Sequence, residues 1–367
     1  MDADVIVVGA GIVGAACARA LAQSGCSVLV LDAQHGGATA AGMGHLVVMD
    51  DSAAELALSR HSVRLWHQLA PQLADDCAFH ACGTLWVAAN EAEMHAAEEK
   101  RQRLQAHGVE CELLNARQLA SAEPHLRDGL AGALRAPMDA IVYAPNAALW
   151  LLGSAGSALQ TEVCEVSRID GTTVQLTSGE RRRGHHVLLA NGIGATGLCP
   201  DLPIRAKKGH LLITDRYPGH VHHQLVEMGY VSSAHATDGS SVAFNLQARP
   251  TGQLLLGSSR QFDATDTEVE PQMLARMLQR ALHYMPSLGK LTAIRAWTGL
   301  RAATPDGLPI LGRHPERPGL WLAVGHEGLG VTTALGSAEL LAAQMTGSLT
   351  GLKPSDYSLE RFGRQAK

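Results

Sequence analysis

The chain has 367 residues, 46% of them hydrophobic, and a formal net charge of -5, a length that can bury a large core in one or two domains. The acidic balance, with no basic run longer than 181–183, excludes the positive field that a phosphate backbone needs, so no nucleic acid is expected as a partner. Seven cysteines without C-x-x-C spacing, and no apolar stretch of membrane-spanning length, predict a soluble, cytoplasmic protein with no disulfide framework, no metal and no membrane span.

From Asp4 the chain reads DVIVVGAGIVGAACARALAQSGCSVLVLD. The β-branched run predicts a strand, and Gly9, Gly11 and Gly14 predict a tight turn opening an alanine-rich helix. SVLVLD is a second strand ending on Asp32, eighteen positions after the last glycine. In this strand–turn–helix–strand setting the G-x-G-x-x-G spacing marks a dinucleotide site. Gly9 permits the turn, Gly11 lets backbone approach a pyrophosphate, and Gly14 lets the helix pack on the strand. The amides of the first helical turn, Ile12 and Val13 among them, face the phosphates. Asp32, followed by Ala33 rather than arginine, suits both hydroxyls of a ribose and repels a 2′-phosphate. NAD and FAD are alike at this point.

Further along, GGATAAGMGHLVV (36–48) is a second run of small residues. Thr39, Ala40, Ala41, Gly42, Met43 and Gly44 suit a backbone passing close to a flat cofactor, and His45 follows them. EAEMHAAEEKRQRLQAHG (91–108) predicts a helix stopped by Gly108, its charges forming a solvated face. HVHH (220–223) reads as a polar loop, and SVAFNLQARPTGQLLLGSS (241–259) as two strands around an RPTG turn. In RAWTGLRAATPDGLPILG (295–312), Arg301 stands among small and turn-forming residues with no carboxylate before Asp306. GLWLAVGHEGLGVTTALGSAELLAAQMTG (319–347) then gives a strand, a third glycine turn at Gly325, Gly328 and Gly330, and a helix. That helix start, with Glu327, Leu329, Val331 and Thr332 beside the glycines, can set positive dipole against the C2 carbonyl and N1 of an isoalloxazine. Glycine runs at both chain ends bracket a long cofactor, which favours FAD.

These motifs, with TAAGMG, GTLWVA (83–88), HVLLANGIGAT (186–196) and KKGHLLIT (207–214) in the same order, resemble the D-amino-acid-oxidase-like flavoproteins. That family includes glycine oxidase, D-amino acid dehydrogenase, D-hydroxyproline dehydrogenase and the catalytic subunits of opine oxidases. The resemblance implies a mixed α/β fold: a discontinuous Rossmann-like FAD domain (1–80, 140–200 and 300–367) and a substrate domain on an antiparallel sheet (81–139 and 201–299). It adds Val163 and Gly192 to the cofactor candidates and gives Arg301 the role of holding a substrate carboxylate, which a planar guanidinium can do in bidentate fashion. His45 is a second catalytic candidate. The hairpin strand offers Asn245 and Gln247 to the substrate where relatives often bring a tyrosine or lysine.

The reaction this implies is oxidation of a C–N bond in a D-amino acid, a cyclic imino acid such as D-hydroxyproline, or an opine, with electrons passing to partner subunits of a multi-subunit dehydrogenase. A self-contained oxidase producing hydrogen peroxide is an alternative. So is an electron-relay component without a substrate, against which Arg301 weighs, because a relay needs no carboxylate anchor.

Overall fold

In the computed structural model, which describes residues 1–229 and 240–363, two eight-stranded sheets carry the molecule. The β-branched run Ala3–Val8 is the centre of the first. It pairs in parallel with Val28–Asp32 on one side and with Arg181–Leu189 on the other. Leu159–Val163 extends the sheet beyond Val28–Asp32, while Leu320–Val324 and Ile310–Arg313 extend it beyond Arg181–Leu189. Covered on both faces, residues 5–8, 28–31 and 320–324 are continuously apolar rather than alternating, while Arg181–Leu189 is apolar only over its last three residues.

One covering layer contains the helices Ile12–Gln23, Ala144–Gly153 and Gly330–Thr346. Their facing residues are small, including Ala15, Ala18, Ala147, Ala334 and Ala338, all buried in one cluster. Small side chains let the helices approach closely, and this holds the two glycine turns that open Ile12–Gln23 and Gly330–Thr346 side by side.

The second sheet runs in the order Ala293–Ala303, Arg205–Arg216, Gln253–Phe262, Ser240–Ala248, Gln224–Glu227, Thr84–Ala88, Gly132–Ala136, Glu112–Asn115. It is antiparallel apart from the pairing of Gln224–Glu227 with Thr84–Ala88. The expected hairpin forms around the RPTG turn. Leu212, Leu246, Leu254 and Leu256 meet Met277, Ala281 and Tyr284 of the helix Pro271–Tyr284 on one face, so the alternate residues Lys207, Gly209, Leu211 and Ile213 line the large cavity on the other. Every strand of the first sheet lies within 1–80, 140–200 and 300–367. The strand Ala293–Ala303 runs through the expected boundary at 299/300, which places Arg301 on the second sheet.

The helix Glu91–Ala106 forms as expected, but its charge is not wholly a solvated face. Lys100 is 1% exposed, with its ammonium against Asp50 and 4.5 Å from the centre of the Trp86 ring. A carboxylate brought from another element makes that burial tolerable. Among the described residues no helix is long and apolar enough to cross a membrane.

Candidate cofactor and substrate site

A cavity of about 2040 Å³ is lined by residues of both sheets, from Gly9 and Asp32 to Lys207, Arg260 and Arg301. At its nucleotide end Gly9 has φ +106°, and a methyl group there would lie 2.7 Å from the Ala190 carbonyl oxygen. The helix Ile12–Gln23 begins at Gly11 with no side-chain cap of its own. The Thr39 hydroxyl accepts from the Ile12 amide at 3.0 Å, while Gly11, Ile12 and Val13 border the cavity. Gly14 lies beneath the turn, where any side chain would strike the Gly9 carbonyl, so its part is helix packing.

Asp32 is fixed by the turn it faces. Its carboxylate accepts from the amides of Ala10 and Gln34, each at 2.6 Å. Each oxygen keeps a lone pair, which leaves room for ribose hydroxyls. Replacing Asp32 by alanine is expected to weaken FAD retention by about 1.5–3 kcal/mol, the worth of a charged hydrogen bond. Fluorescence titration of the apoprotein measures this, and FAD-saturated variant should keep the wild-type rate of flavin reduction.

In the middle of the cavity the second small-residue run is clamped by the second sheet. Trp297 Nε1 donates to the Ala41 carbonyl at 3.1 Å, and Gln247 Nε2 to the Met43 carbonyl at 2.7 Å. Gln247 is fully buried and not part of the cavity wall. It braces the cofactor loop instead of facing substrate, whereas Asn245, two residues earlier, borders the cavity. Thr332 is also a brace: its hydroxyl donates to the His45 carbonyl at 2.9 Å and accepts from the Val47 amide at 3.2 Å. Val163 pairs with Asp32 in the sheet but points to solvent, and Cys164 and Glu165 border the cavity beside it. His45 lines the cavity, yet its Nε2 is buried without a partner. Burial, aided by the charge of Arg249, lowers its pKa to about 3. At that value the imidazole is neutral and weakly basic at neutral pH.

At the far end, Arg301 is the register partner of Lys207, and Gly299 that of Gly209. The Arg301 side chain lies across Gly209, where a methyl group would come within 2.6 Å of Nη1. Nη1 reaches the Ser259 carbonyl on the next strand at 3.2 Å. The third glycine turn closes over this place. Glu327, at φ +48°, donates its amide to Ala302, and its carboxylate pairs with Lys207 at 2.9 Å. Gly325, Gly328, Leu329, Gly330 and Val331 border the cavity here, and the helix Gly330–Thr346 opens without a side-chain cap. The starts of two long helices, neither with a side-chain cap of its own and held side by side on one cavity, fit a ligand with phosphates against one and an electron-accepting ring against the other. Reading the sequence missed Lys207, Gly209, Arg249 and Arg260 as cavity residues. The strand period in KKGHLLIT puts Lys207 and Gly209 on one face, but which face meets the cavity is not visible locally.

The sequence profile of the DAO family, described as FAD dependent oxidoreductase, matches residues 4–344. The chain belongs to this family. DAO-family membership makes FAD its cofactor and an oxidoreductase its class. An opine oxidase subunit of Rhizobium meliloti is 27% identical over 99% of both chains. Glycine oxidase of Geobacillus kaustophilus (strain HTA426) is 27% identical over 98% of this chain and 97% of its own. The crystal structure of glycine oxidase from Geobacillus kaustophilus superposes with a TM-score of 0.87 at 25% identity, covering 100% of this chain and 99% of that one. L-proline dehydrogenase from P. horikoshii shares the fold with a TM-score of 0.89 at 21% identity, over 99% and 98% of the two chains.

The ionisable groups of this DAO-family fold make its stability asymmetric in pH. Burial lowers His326, like His45, to about 3. Burial raises Asp139 to about 7, and raises Glu55 to about 7 with help from the Asp51 charge. For Glu327 burial acts upward but is outweighed by Lys207, Arg301 and Arg260, which bring it to about 2. Burial also lowers His186, His210 and His220, so below about pH 6.5 the unfolded chain binds protons on five histidines that the folded chain resists, against two raised carboxyls that act the other way. Below about pH 4 the lowered carboxyls, Glu327, Asp50, Asp201 and Asp306 among them, add to the loss. Stability is therefore expected to decline gently from about pH 6.5 and steeply below about pH 4. Urea denaturation of the apoprotein across this range tests it; stability that rises as the pH falls from about 6.5 to about 4 contradicts it.

Proposed function

We propose that the protein oxidises the C–N bond of an amino acid, a cyclic imino acid of the D-hydroxyproline kind, or an opine to the imine. The observation that carries this reading is the Arg301 guanidinium, laid across Gly209 and fixed by the Ser259 carbonyl inside the FAD cavity. A guanidinium held flat in this way offers its remaining N–H groups to a substrate carboxylate and thereby orients the Cα–H bond. Gly9, Gly11, Asp32, the loop from Thr39 to Gly44, Gly192 and the turn from Gly325 to Val331 hold the cofactor. When bound, FAD supplies the two-electron acceptor. The amine proton passes to solvent, and orientation of the substrate is the chain's main contribution.

The reading extends to the fate of the electrons, which pass to a partner protein rather than to oxygen. Full-length similarity to a protein named as one subunit of an opine oxidase supports a multi-subunit enzyme. A D-amino acid dehydrogenase of Cereibacter sphaeroides, 28% identical over 78% of this chain and 66% of its own, supports a dehydrogenase. The self-contained oxidase is favoured by the similarity to glycine oxidases. One experiment separates the readings. The flavin is bleached anaerobically with D- and L-amino acids, proline derivatives and opines, and air is then admitted. Bleaching by a carboxylate-bearing amine with slow reoxidation supports the dehydrogenase. Fast reoxidation with stoichiometric peroxide supports the oxidase, and no bleaching by any of them contradicts both.

A further inference from the structure

We propose that Glu327 is the amine-recognising pole of the substrate site: its carboxylate accepts an N–H from the same molecule whose carboxylate Arg301 holds. This rests on the amino-acid reading and sharpens it, because the pair would select amino and imino acids over carboxylates of the same shape that lack the nitrogen.

The turn that carries Glu327 is fastened to the strand that carries Arg301. The Glu327 amide donates to the Ala302 carbonyl at 2.9 Å, and His326 forms a bridge with Ala303. Glu327 is a non-glycine residue at φ +48° in a turn otherwise rich in glycine. A residue stays in that region only where its surroundings over-determine it. Its Oε2 accepts from the Gly328 amide at 2.6 Å, while Oε1 lies 2.9 Å from Lys207 Nζ as an ion pair and is a buried acceptor without a hydrogen bond. Lys207 is itself the register partner of Arg301. Guanidinium and carboxylate are thus set by the same strand pair and border the same cavity.

A carboxylate offers about four lone-pair sites, and here the one hydrogen bond it accepts is at Oε2, from the Gly328 amide. The side chain remains 23% exposed while that of Lys207 is 7% exposed, so Glu327 is the more open member of the pair, with Oε1 buried and the rest of the side chain reaching the cavity. The charges that bear on it, Lys207, Arg301 and Arg260, keep it ionised throughout the working pH range. They also define its task. Cations alone would attract the substrate carboxylate and repel its ammonium, whereas an ionised acceptor among them creates two poles, as a zwitterion requires. A purely structural tie would need only the Lys207 contact and no opening to the cavity.

The test uses FAD-loaded full-length protein and two probes of nearly the same shape, D-proline and cyclopentanecarboxylate, with binding read from the change in flavin absorbance. Wild type is expected to prefer D-proline. Glu327→Gln is expected to lose roughly ten- to hundredfold of that preference, the range of one charged hydrogen bond, while cyclopentanecarboxylate binds as well as before or better. Glu327→Asp is expected to restore part of the preference. Equal weakening of both probes in Glu327→Gln, an unchanged preference, or loss of FAD from both variants would make Glu327 a structural tie and overturn the proposal. A wild type that shows no preference for the amine, and is bleached by no amino acid, would instead overturn the amino-acid reading beneath it.

Discussion

Arg301→Ala is expected to bind FAD and fold normally but to lose about 3–5 kcal/mol of transition-state stabilisation, the typical cost of removing one partner of a buried charged contact. In rates this is roughly a hundred- to several-thousandfold in the efficiency of flavin reduction. The loss is shared between affinity and rate, because the fork that binds the carboxylate also sets the direction of the Cα–H bond. Arg301→Lys restores the charge without the planar fork and is expected to recover only part of the activity. Gly209→Ala gives a subtler version of the same experiment. Its new methyl group would sit 2.6 Å from Nη1 and 2.9 Å from Cζ. The end of a long side chain can move away, so the fold should survive while the guanidinium leaves its place. Anaerobic stopped-flow reduction of the flavin by a saturating amino acid compares all four proteins. Near-equal rates and affinities would return Arg301 to an ordinary structural role.

Gly9→Ala is expected to yield folded protein purified essentially free of flavin. The substitution demands φ +106°, a backbone conformation costly for a residue with a side chain, and the new carbon would lie 2.7 Å from both the Ala190 oxygen and the Asn191 Cα. These neighbours are backbone atoms of the segment after the central strand pair and have no cheap route away. Shifting the turn moves the start of the helix Ile12–Gln23 and its amides from the pyrophosphate. Gly11→Ala is the control: the atom its methyl would meet is the Thr39 hydroxyl at 3.1 Å, so a milder loss is expected. Flavin content per chain after purification, with circular dichroism as the check on folding, decides between them. Full flavin retention in Gly9→Ala would mean that the cofactor does not lie against this turn.

What the sequence determined by itself was local backbone chemistry. The turn at Gly9, Gly11 and Gly14 depends on φ values and close approaches within a few residues, and the RPTG hairpin on a tight reversal between two apolar runs. Such features are written in neighbouring residues, so their spacing names the cofactor end of the site. Arg301 was legible because it stands without a local partner, and the resemblance to a family of flavoproteins gave it a use.

Only the tertiary structure decided which polar residues face the cavity and which hold its wall. Asn245 and Gln247 share a face of one strand, yet Gln247 is taken by the Met43 carbonyl and Asn245 is left at the cavity. Thr332 stands one residue beyond the cavity wall and pins the loop of His45. Lys207 and Lys208 are adjacent and alike in sequence, but strand alternation sends Lys207 to Glu327 in the cavity and Lys208 to Asp266 and Glu270 on the opposite side. The physical reason is common to all of these. A strand has two faces, and which face meets the core, a helix or the cavity is fixed by pairing and by irregularities of register, such as those between Arg205–Arg216 and Gln253–Phe262. Those are properties of contacts between distant segments, and no local pattern of residues contains them.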